Sequence, residues 1–356
     1  MNTGIDTAVI VRSKTRYEQL VARFNTKSQA AFYVTQNQMQ FKAKMGKKSD
    51  IQMTPSQAAS GSAAAAPMHA VGPVTPKMRA NKELSEFSAY EEEHEKITRA
   101  IGDVQDAVSK LLKVKLLDRD YLSSYIFSKN DVVIVIGQDG LVANTAKYLE
   151  DNPLIGINPL PDGYDGILLP FQVATASAAV ERVLAGEAKI TSVTMAEALL
   201  NDNQRLLAFN DLFVGIRDHS SARYQITVQG ITENHSSSGI IVSTGAGSTG
   251  WLSSLYNMAN GISRFVKGTD LCEAVPLPWD TSQLVYVVRE PFKSKRSQTG
   301  LAAGMIGQGE EIVIESLMPT NGVIFSDGVQ QDFLEFNSGA IARIRIAETR
   351  ARLVSG

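Results

Sequence analysis

The sequence predicts two domains, an α/β domain built on a parallel sheet followed by a β-rich domain. The chain has 356 residues, which is too long for one ordinary hydrophobic core. In the first half, short apolar runs alternate with helical periodicity, as in a parallel sheet covered on both faces. After Gly186, short alternating or apolar runs follow one another with turns between them, which is typical of β-rich structure.

The elements of the α/β domain can be placed from their apolar residues. Residues 8–11 and 131–136 are β-branched runs that suit buried parallel strands, and residues 114–117 indicate a third strand. Apolar residues recur at spacings of three and four over residues 84–112, which favours a helix. Shorter helices are predicted at residues 119–127, 144–149 and 175–184.

The β-rich domain is predicted to begin near residues 170–174. Its strands are expected at residues 206–209, 212–216, 224–228, 239–242, 283–288, 312–316, 323–325 and 340–346. The resulting division is an α/β domain over residues 1–173, a β-rich domain over 174–345 and a carboxy-terminal tail over 346–356. Within the first domain, residues 43–80 are rich in Ala, Ser, Gly and Pro and predict a flexible insertion.

Composition excludes several classes of function. There are 35 Lys and Arg against 37 Asp and Glu, so the basic excess of a nucleic-acid-binding protein is absent and no nucleic-acid partner is expected. No apolar run approaches the roughly 18 residues of a membrane span, so no membrane partner is expected. The single cysteine, Cys272, allows neither an intrachain disulfide nor a cysteine-built zinc site, and a cytoplasmic location is the simplest expectation.

The most informative motif is a glycine-flanked acid, Gly137-Gln138-Asp139-Gly140, directly after the predicted strand 131–136. Glycines and a following helix would let backbone N–H groups approach a phosphate. An acid beside phosphates makes sense if it accepts a proton from an attacking hydroxyl or holds a metal ion. The structural alternative is an aspartate that caps the helix in a tight turn.

A second motif follows the predicted strand at residues 239–242. Small residues and hydroxyls before a helix are donors for phosphate or ribose oxygens, although a flexible surface turn is the alternative. The residues that carry this motif are Thr244, Gly245, Gly247, Ser248, Thr249, Gly250 and Trp251.

Two further polar pairs interrupt apolar runs. Burying Asn210 and Asp211 would cost a few kcal/mol unless their side chains are hydrogen-bonded or face a ligand. The structural alternative to a ligand site is that the pair lies at a strand end or a bulge. Asp327 and Gly328 are most easily interpreted as a hairpin turn. In addition, the basic residues of segment 12–16 either face a phosphate beyond the first strand or lie in a solvated loop.

In this order and spacing, the four motifs resemble those of the NAD kinase family. That family has a Gly-Gly-Asp-Gly-Thr loop in its first domain, then an Asn-Glu pair, a Thr-Pro-Thr-Gly-Ser-Thr-like loop and an Asp-Gly pair in its second. The segment Ile155-Gly156-Ile157-Asn158 is similar to the family's Gly-Ile-Asn strand. The mitochondrial-type branch is most similar, at residues 15–18, 237–239, 244–248, 289–291 and 336–342.

The resemblance implies a Rossmann-like first domain of the NAD kinase/diacylglycerol kinase type. It also implies transfer of the γ-phosphoryl group of ATP to the 2′-hydroxyl of the adenosine ribose of NAD(H), with Mg²⁺ arriving on ATP. Asp139 would be the general base, and Asn210, Asp211 and the Thr244–Trp251 loop would bind the dinucleotide. The other expected nucleotide-binding residues are Gly137, Gln138, Gly140, Asn158 and Asp327. A homodimer or higher homo-oligomer is expected, because a β-rich domain has edges that need covering.

The chain departs from the family pattern at three positions of these motifs. Gln138 and Leu141 replace Gly and Thr, which predicts a bulkier phosphate loop without a hydroxyl, and Asp211 replaces Glu. Two rival functions remain open. One is a catalytically weak family member that binds NAD(P), and the other is a related kinase that acts on a lipid or sugar hydroxyl.

Overall fold

The computed structural model describes residues 4–46, 85–271, 273 and 276–356. The chain divides into two compact units, Lys14–Arg99 on one hand and Met1–Ser13 with Ala100–Gly356 on the other. The predicted insertion at residues 43–80 lies outside the described residues, apart from 43–46 at the end of a helix. The predicted domain bounds near residue 173 differ from this division and stay a prediction.

The unit Lys14–Arg99 is helical. It contains α1 (Arg16–Phe24), α2 (Lys27–Gly46) and the first part of α3 (Ser85–Val108). Thr15 caps α1, because its Oγ1 accepts the Glu18 N–H while the Glu18 carboxylate accepts the Thr15 N–H. The predicted basic loop 12–16 is therefore in part the start of a helix.

The larger unit contains the predicted parallel sheet. Strands β1 (Thr7–Arg12), β2 (Lys113–Asp118), β3 (Asp131–Ile136) and β4 (Pro153–Asn158) are parallel and lie in the order β2-β1-β3-β4. Both β1 and β3 are almost completely buried, as their β-branched runs predict. Helices α4 (Asp139–Ala146) and α5 (Ala176–Ala185) follow, with a 3-10 turn at Arg119–Ser124.

The start of α4 differs from the prediction. The sequence favours a helix at residues 144–149, whereas α4 begins at Asp139, directly after the strand. Six of the eight residues of α4 are buried, from Leu141 to Ala146. The helix therefore has no exposed polar face, and its sequence lacks the helical periodicity that would have marked its start.

The β-rich part is also confirmed. Before it, β5 (Phe171–Gln172) pairs in parallel with β4. Helix α6 (Trp251–Lys267) lies within it. Its strands are β6 (Ile190–Leu200), β7 (Arg205–Ala208), β8 (Asp211–Ile216), β9 (Ala222–Val228), β10 (Ile231–Ser237), β11 (Ile240–Ser243), β12 (Gln283–Val288), β13 (Ala303–Gly307), β14 (Ile312–Ser316), β15 (Gly322–Ser326), β16 (Val329–Glu335) and β17 (Ile341–Val354).

The strands form two sheets. One has the order β13-β12-β11-β8-β15-β16 and is antiparallel. The other runs β10-β9-β14-β17-β4-β3-β1-β2, so that β17 joins the antiparallel strands to the parallel ones. Residues 346–354, which the sequence assigns to a tail, therefore belong to a central strand, and Leu353 pairs with Leu154 of β4. One apolar core lies between the strands of the β-rich part, and a second includes α4 and the parallel sheet.

None of the helices in the described ranges is long and apolar enough to cross a membrane.

Candidate functional site

Asp139 is the first residue of α4. Gln138 before it has the extended backbone of an N-cap residue, although its side chain makes no capping hydrogen bond. Asp139 is half-buried, and its Oδ1 accepts a hydrogen bond of 2.6 Å from the Leu168 N–H. Asp139 therefore does not act as the helix cap. Its carboxylate is fixed by one oxygen, while the other makes no hydrogen bond within the described part of the chain.

The loop that holds Asp139 is shaped by β4. A Cβ atom on Gly156 would lie 2.1 Å from the Leu168 carbonyl oxygen, so only glycine allows the loop to pack this closely. Asn158 accepts the Leu160 N–H at 2.9 Å and donates to the Tyr164 carbonyl at 3.2 Å. The side chain of Asn158, predicted to bind nucleotide, is thus engaged in holding the loop.

The phosphate loop is less crowded than the sequence predicts. Leu141 is only 5% exposed, and it packs in the core beneath Gly137. Gly140 is exposed, and a Cβ there would meet nothing within 4 Å. Among these residues only the exposed Gln138 adds bulk to the open side of the loop.

Asp327 organises the loop that presents Asn210 and Asp211. Both Asp327 and Gly328 have positive φ angles (53° and 69°), as in the two-residue hairpin turns that match strand twist. The Asp327 carboxylate accepts the N–H groups of Phe209 (3.0 Å), Asn210 (2.6 Å) and Asp211 (3.3 Å). The hairpin turn is therefore confirmed, and its acid serves the neighbouring loop.

Asp211 is an acid whose buried side chain makes no hydrogen bond to a described residue. It is 7% exposed at the start of β8. Burial, followed by the negative charge of Asp327, raises the pKa of Asp211 to about 7. The half-buried Asn210 beside it also has a side-chain amide without a hydrogen bond in the described ranges. The pair offers a carboxylate and an amide to a ligand.

Asp211→Asn is expected to stabilise the protein at alkaline pH. Because the folded pKa of about 7 exceeds the ordinary value of 3.8, the folded state binds more protons within this window and loses stability as pH rises through it. The variant should gain roughly 2–4 kcal/mol in the free energy of unfolding at pH 8 and little at pH 4, since one pKa unit corresponds to about 1.4 kcal/mol. Urea unfolding at both pH values measures this, with the exposed Asp162→Asn as control. An equal gain at both pH values would contradict it.

The hydroxyls of the 244–251 loop are engaged with the protein itself. Thr244 Oγ1 donates to the Phe209 carbonyl at 2.6 Å, and Ser248 Oγ donates to the Gly245 carbonyl at 2.7 Å. Both residues are buried, and each hydroxyl forms its hydrogen bond with a backbone carbonyl group. The prediction that Thr244 and Ser248 bind the nucleotide stays a prediction, and in this structure their hydroxyls donate to backbone carbonyl groups.

Other residues of the loop have different roles. A Cβ on Gly245 would lie 2.0 Å from the Pro278 carbonyl oxygen, and a Cβ on Gly247 would lie 2.1 Å from the Asn210 carbonyl oxygen. Thr249 and Gly250 are exposed at the amino end of α6, where helix N–H groups are available to an anion.

Trp251 lines a cavity of about 350 Å³ that the sequence does not reveal. Its ring stacks on Phe213 with centroids 5.8 Å apart, and the Arg289 guanidinium lies 5.5 Å from the Trp251 ring centroid. The Phe213 ring lies flat over Gly215 and Gly239. A Cβ on either glycine would lie about 2.5 Å from this ring, so both positions need glycine. The full lining is Phe213, Ile216, Arg217, Trp251, Arg289, Val323, Phe325 and Phe333.

No cluster of three or more His, Cys, Asp and Glu side chains that could hold a metal ion occurs in the ranges the structure describes.

The fold has one feature that is common in ligand-binding α/β proteins. In open α/β sheets ligands bind beyond the carboxyl ends of parallel strands, at a helix start. The Gly137–Gly140 loop between β3 and α4 is such a feature, and the Asp327-shaped loop and the start of α6, which adjoin antiparallel strands, lie in the same compact unit.

Comparison with known proteins identifies NAD kinases as relatives, although no family model matches the chain. The chain is 31% identical over 142 residues to the NAD kinase of Clostridium kluyveri, covering 38% of this chain and 47% of that protein. It is 33% identical over 129 residues to the NAD kinase of Heliobacterium modesticaldum, covering 34% and 44% respectively. The match thus spans about half the length of these curated relatives. The predicted resemblance to NAD kinases is confirmed, and the mitochondrial-type branch stays a prediction.

Two solved structures are similar at a TM-score of 0.48. One is yeast NADH kinase complexed with NADH, at 15% identity, covering 69% of this chain and 66% of that one. The other is an NAD kinase from Archaeoglobus fulgidus in complex with ATP, at 17% identity, covering 72% of this chain and 89% of that one.

Proposed function

We propose that this protein is an NAD kinase, which transfers the γ-phosphoryl group of ATP to the 2′-hydroxyl of the adenosine ribose of NAD(H) to give NADP(H). The observation that carries this proposal is the Asp139 carboxylate, held at the carboxyl end of β3 by the Leu168 N–H with one oxygen left over. The curated relatives, which are NAD kinases, support NAD as the acceptor, and the resemblance to that family implies ATP as the donor.

Asp139 would act as the general base. A ribose hydroxyl is a poor nucleophile at neutral pH, so the unengaged carboxylate oxygen takes its proton as the hydroxyl oxygen bonds to the γ-phosphorus. The bond from that phosphorus to the bridging oxygen breaks, ADP leaves, and the proton remains on Asp139 until it passes to solvent. Backbone N–H groups at the start of α4 would stabilise the negative charge on the phosphoryl oxygens.

The dinucleotide would lie against the loop that Asp327 shapes. Asn210 and Asp211 supply an amide and a carboxylate that can bind ribose hydroxyls and base edges. Thr249 and Gly250 can bind phosphate oxygens at the start of α6, and the cavity beside Trp251 offers aromatic surface with two guanidinium groups.

Mg²⁺ would arrive on the phosphates of ATP. Magnesium usually needs only one or two protein carboxylates together with substrate phosphates. Bound there, the ion would neutralise charge on the phosphate oxygens.

A coupled NADPH assay with NAD, ATP and MgCl₂ tests the proposal, with thermal shift measured for each ligand. Turnover that requires both NAD and ATP supports it. Binding of NAD without turnover would favour the weak family member, which the exposed Gln138 in the phosphate loop motivates. No dinucleotide shift at all would favour a kinase acting on a lipid or sugar hydroxyl.

We also propose that the protein forms a homodimer through α6. Met258, Ile262, Phe265 and Val266 recur at helical spacing on this helix and are 45–90% exposed. Such a stripe on a helix marks an interaction surface, and a two-fold pair of identical stripes is self-complementary. Light scattering at micromolar concentration should give a dimer mass, and Phe265→Glu should give a monomer. A monomeric wild-type protein would contradict this.

A further inference from the structure

A buried lysine follows α4. The side chain of Lys147 is 1% exposed, and its Nζ lies 2.6 Å from Asp332 Oδ2 on β16. The same ammonium group donates to Ser326 Oγ at 2.9 Å. Burying a charge is unfavourable unless it is paired and hydrogen-bonded, and Lys147 meets both conditions with residues of one hairpin.

The β15–β16 hairpin shapes the loop of residues 209–211, which the proposed function assigns to dinucleotide binding. Ser326 is the last residue of β15 and directly precedes Asp327, whose carboxylate accepts three backbone N–H groups from residues 209–211. Asp327 is half-buried, and burial of its carboxylate raises its pKa, while those hydrogen bonds and the charge of Lys147 lower it. Lys147 thus helps to keep Asp327 in the ionised form, which is the stronger acceptor.

We propose that Lys147 is a positioning residue for the dinucleotide, tying the end of α4 to the β15–β16 hairpin and thereby holding the Asn210–Asp211 loop in its binding geometry. This inference rests on the proposed function. Lys147 is not expected to touch a substrate. Because Asp139 has its own anchor on the Leu168 N–H, loss of Lys147 should weaken dinucleotide binding and leave the chemical step largely unchanged.

The role of Lys147 has a pH signature. The charged and titratable groups that interact with this network are Lys147, Tyr148, Arg119, Asp211 and Asp332. Of these, Lys147 is the cation that lowers the pKa of Asp327. Without it, Asp327 takes up a proton at a higher pH and holds the loop less well. The acid limb of kcat/KM for the dinucleotide should therefore move to higher pH.

The test compares Asp332→Asn with Lys147→Met/Asp332→Asn, two variants that differ in the ammonium group of residue 147 and its hydrogen bond to Ser326. Lys147→Met alone would leave the charge of Asp332 without its cation, whereas in Asp332→Asn the ammonium group still donates to Ser326 and can donate to the asparagine oxygen, and urea unfolding checks that both variants fold. The exposed Lys110→Met serves as a surface control. Steady-state kinetics from pH 5.5 to 9, calorimetric titration with NAD and hydrogen exchange of residues 205–216 are measured for each.

Relative to Asp332→Asn, the double variant should raise the dinucleotide KM and Kd by about threefold to tenfold, and most at the acidic end of the range, because the loop is held less well. Its kcat should stay within about threefold, and the acid limb should move to higher pH. In the double variant, the amide hydrogens of residues 209–211 should exchange faster, while those of β3 should exchange as in wild type. In Lys110→Met, all of these amide hydrogens should exchange as in wild type.

Equal exchange and equal Kd in the two variants would overturn the inference, as would a loss confined to kcat. The proposed function fails separately, if the wild-type protein binds no dinucleotide. In that case the exchange of residues 209–211 still decides whether Lys147 holds the loop, and the part of the inference that concerns dinucleotide binding is overturned.

Discussion

Replacing Asp139 with asparagine is expected to lower turnover by about 10²–10⁴-fold, which is the usual contribution of a positioned general base. Asparagine keeps the shape of the side chain, and its Oδ1 can still accept the Leu168 N–H. It cannot take the proton of the ribose hydroxyl. The loss should therefore fall on kcat, while NAD binding stays within a few-fold, since removing a negative charge near phosphates does not oppose binding.

Steady-state kinetics of Asp139→Asn, together with calorimetric titration with NAD, measures both parts of this expectation. Asp162→Asn is the matched control, because Asp162 is exposed in the loop that follows β4. Its kinetics should equal those of wild type. Near-normal turnover in Asp139→Asn would remove Asp139 from the mechanism and leave it a structural contact of the Leu168 loop.

The elements that the sequence predicts well are those whose burial pattern is visible in the chain. Strands β1 and β3 are continuous β-branched runs, which only a strand covered on both faces explains. Strand β10 escapes prediction because its residues are mostly polar and partly exposed at the edge of the sheet. Strand β17 is predicted only in part, since its charged residues after Ile346 hide the central position that its pairing with β4 and β6 gives it.

The candidate site divides in the same way. Only Gly137 and Gln138 separate Asp139 from the end of a buried strand, so its place at the carboxyl edge of the sheet is predictable. The hydrogen bonds of Thr244 and Ser248 are not, because a hydroxyl beside a glycine can bind a ligand or its own backbone equally well in sequence terms. Lys147 is beyond sequence reasoning, since Ser326 lies 179 residues away and only the fold brings them together.

Gly247→Ala is expected to separate the 209–211 loop from the 244–251 loop, which meet at the proposed dinucleotide site. The alanine Cβ would lie 2.1 Å from the Asn210 carbonyl oxygen, a backbone atom that cannot turn aside as a side chain could. One loop must therefore move by about 1 Å to restore van der Waals contact, because carbon and oxygen atoms pack near 3.2–3.5 Å. Overpacking of this kind costs about 1–3 kcal/mol in the free energy of unfolding.

The same movement should weaken dinucleotide binding, because Thr244 bridges the two loops by accepting the Gly247 N–H and donating to the Phe209 carbonyl. The expected rise in the NAD Kd is about tenfold or more, which corresponds to about 1.4 kcal/mol of lost interaction. Gly261→Ala is the matched control, since a Cβ at this exposed position within α6 would meet nothing within 4 Å. Alanine favours a helix over glycine, so the control should gain about 0.5–1 kcal/mol in stability and bind NAD normally. Urea unfolding and calorimetric titration of both variants measure these effects. If Gly247→Ala were as stable as Gly261→Ala and bound NAD equally well, the contact between the two loops would have no part in shaping the site.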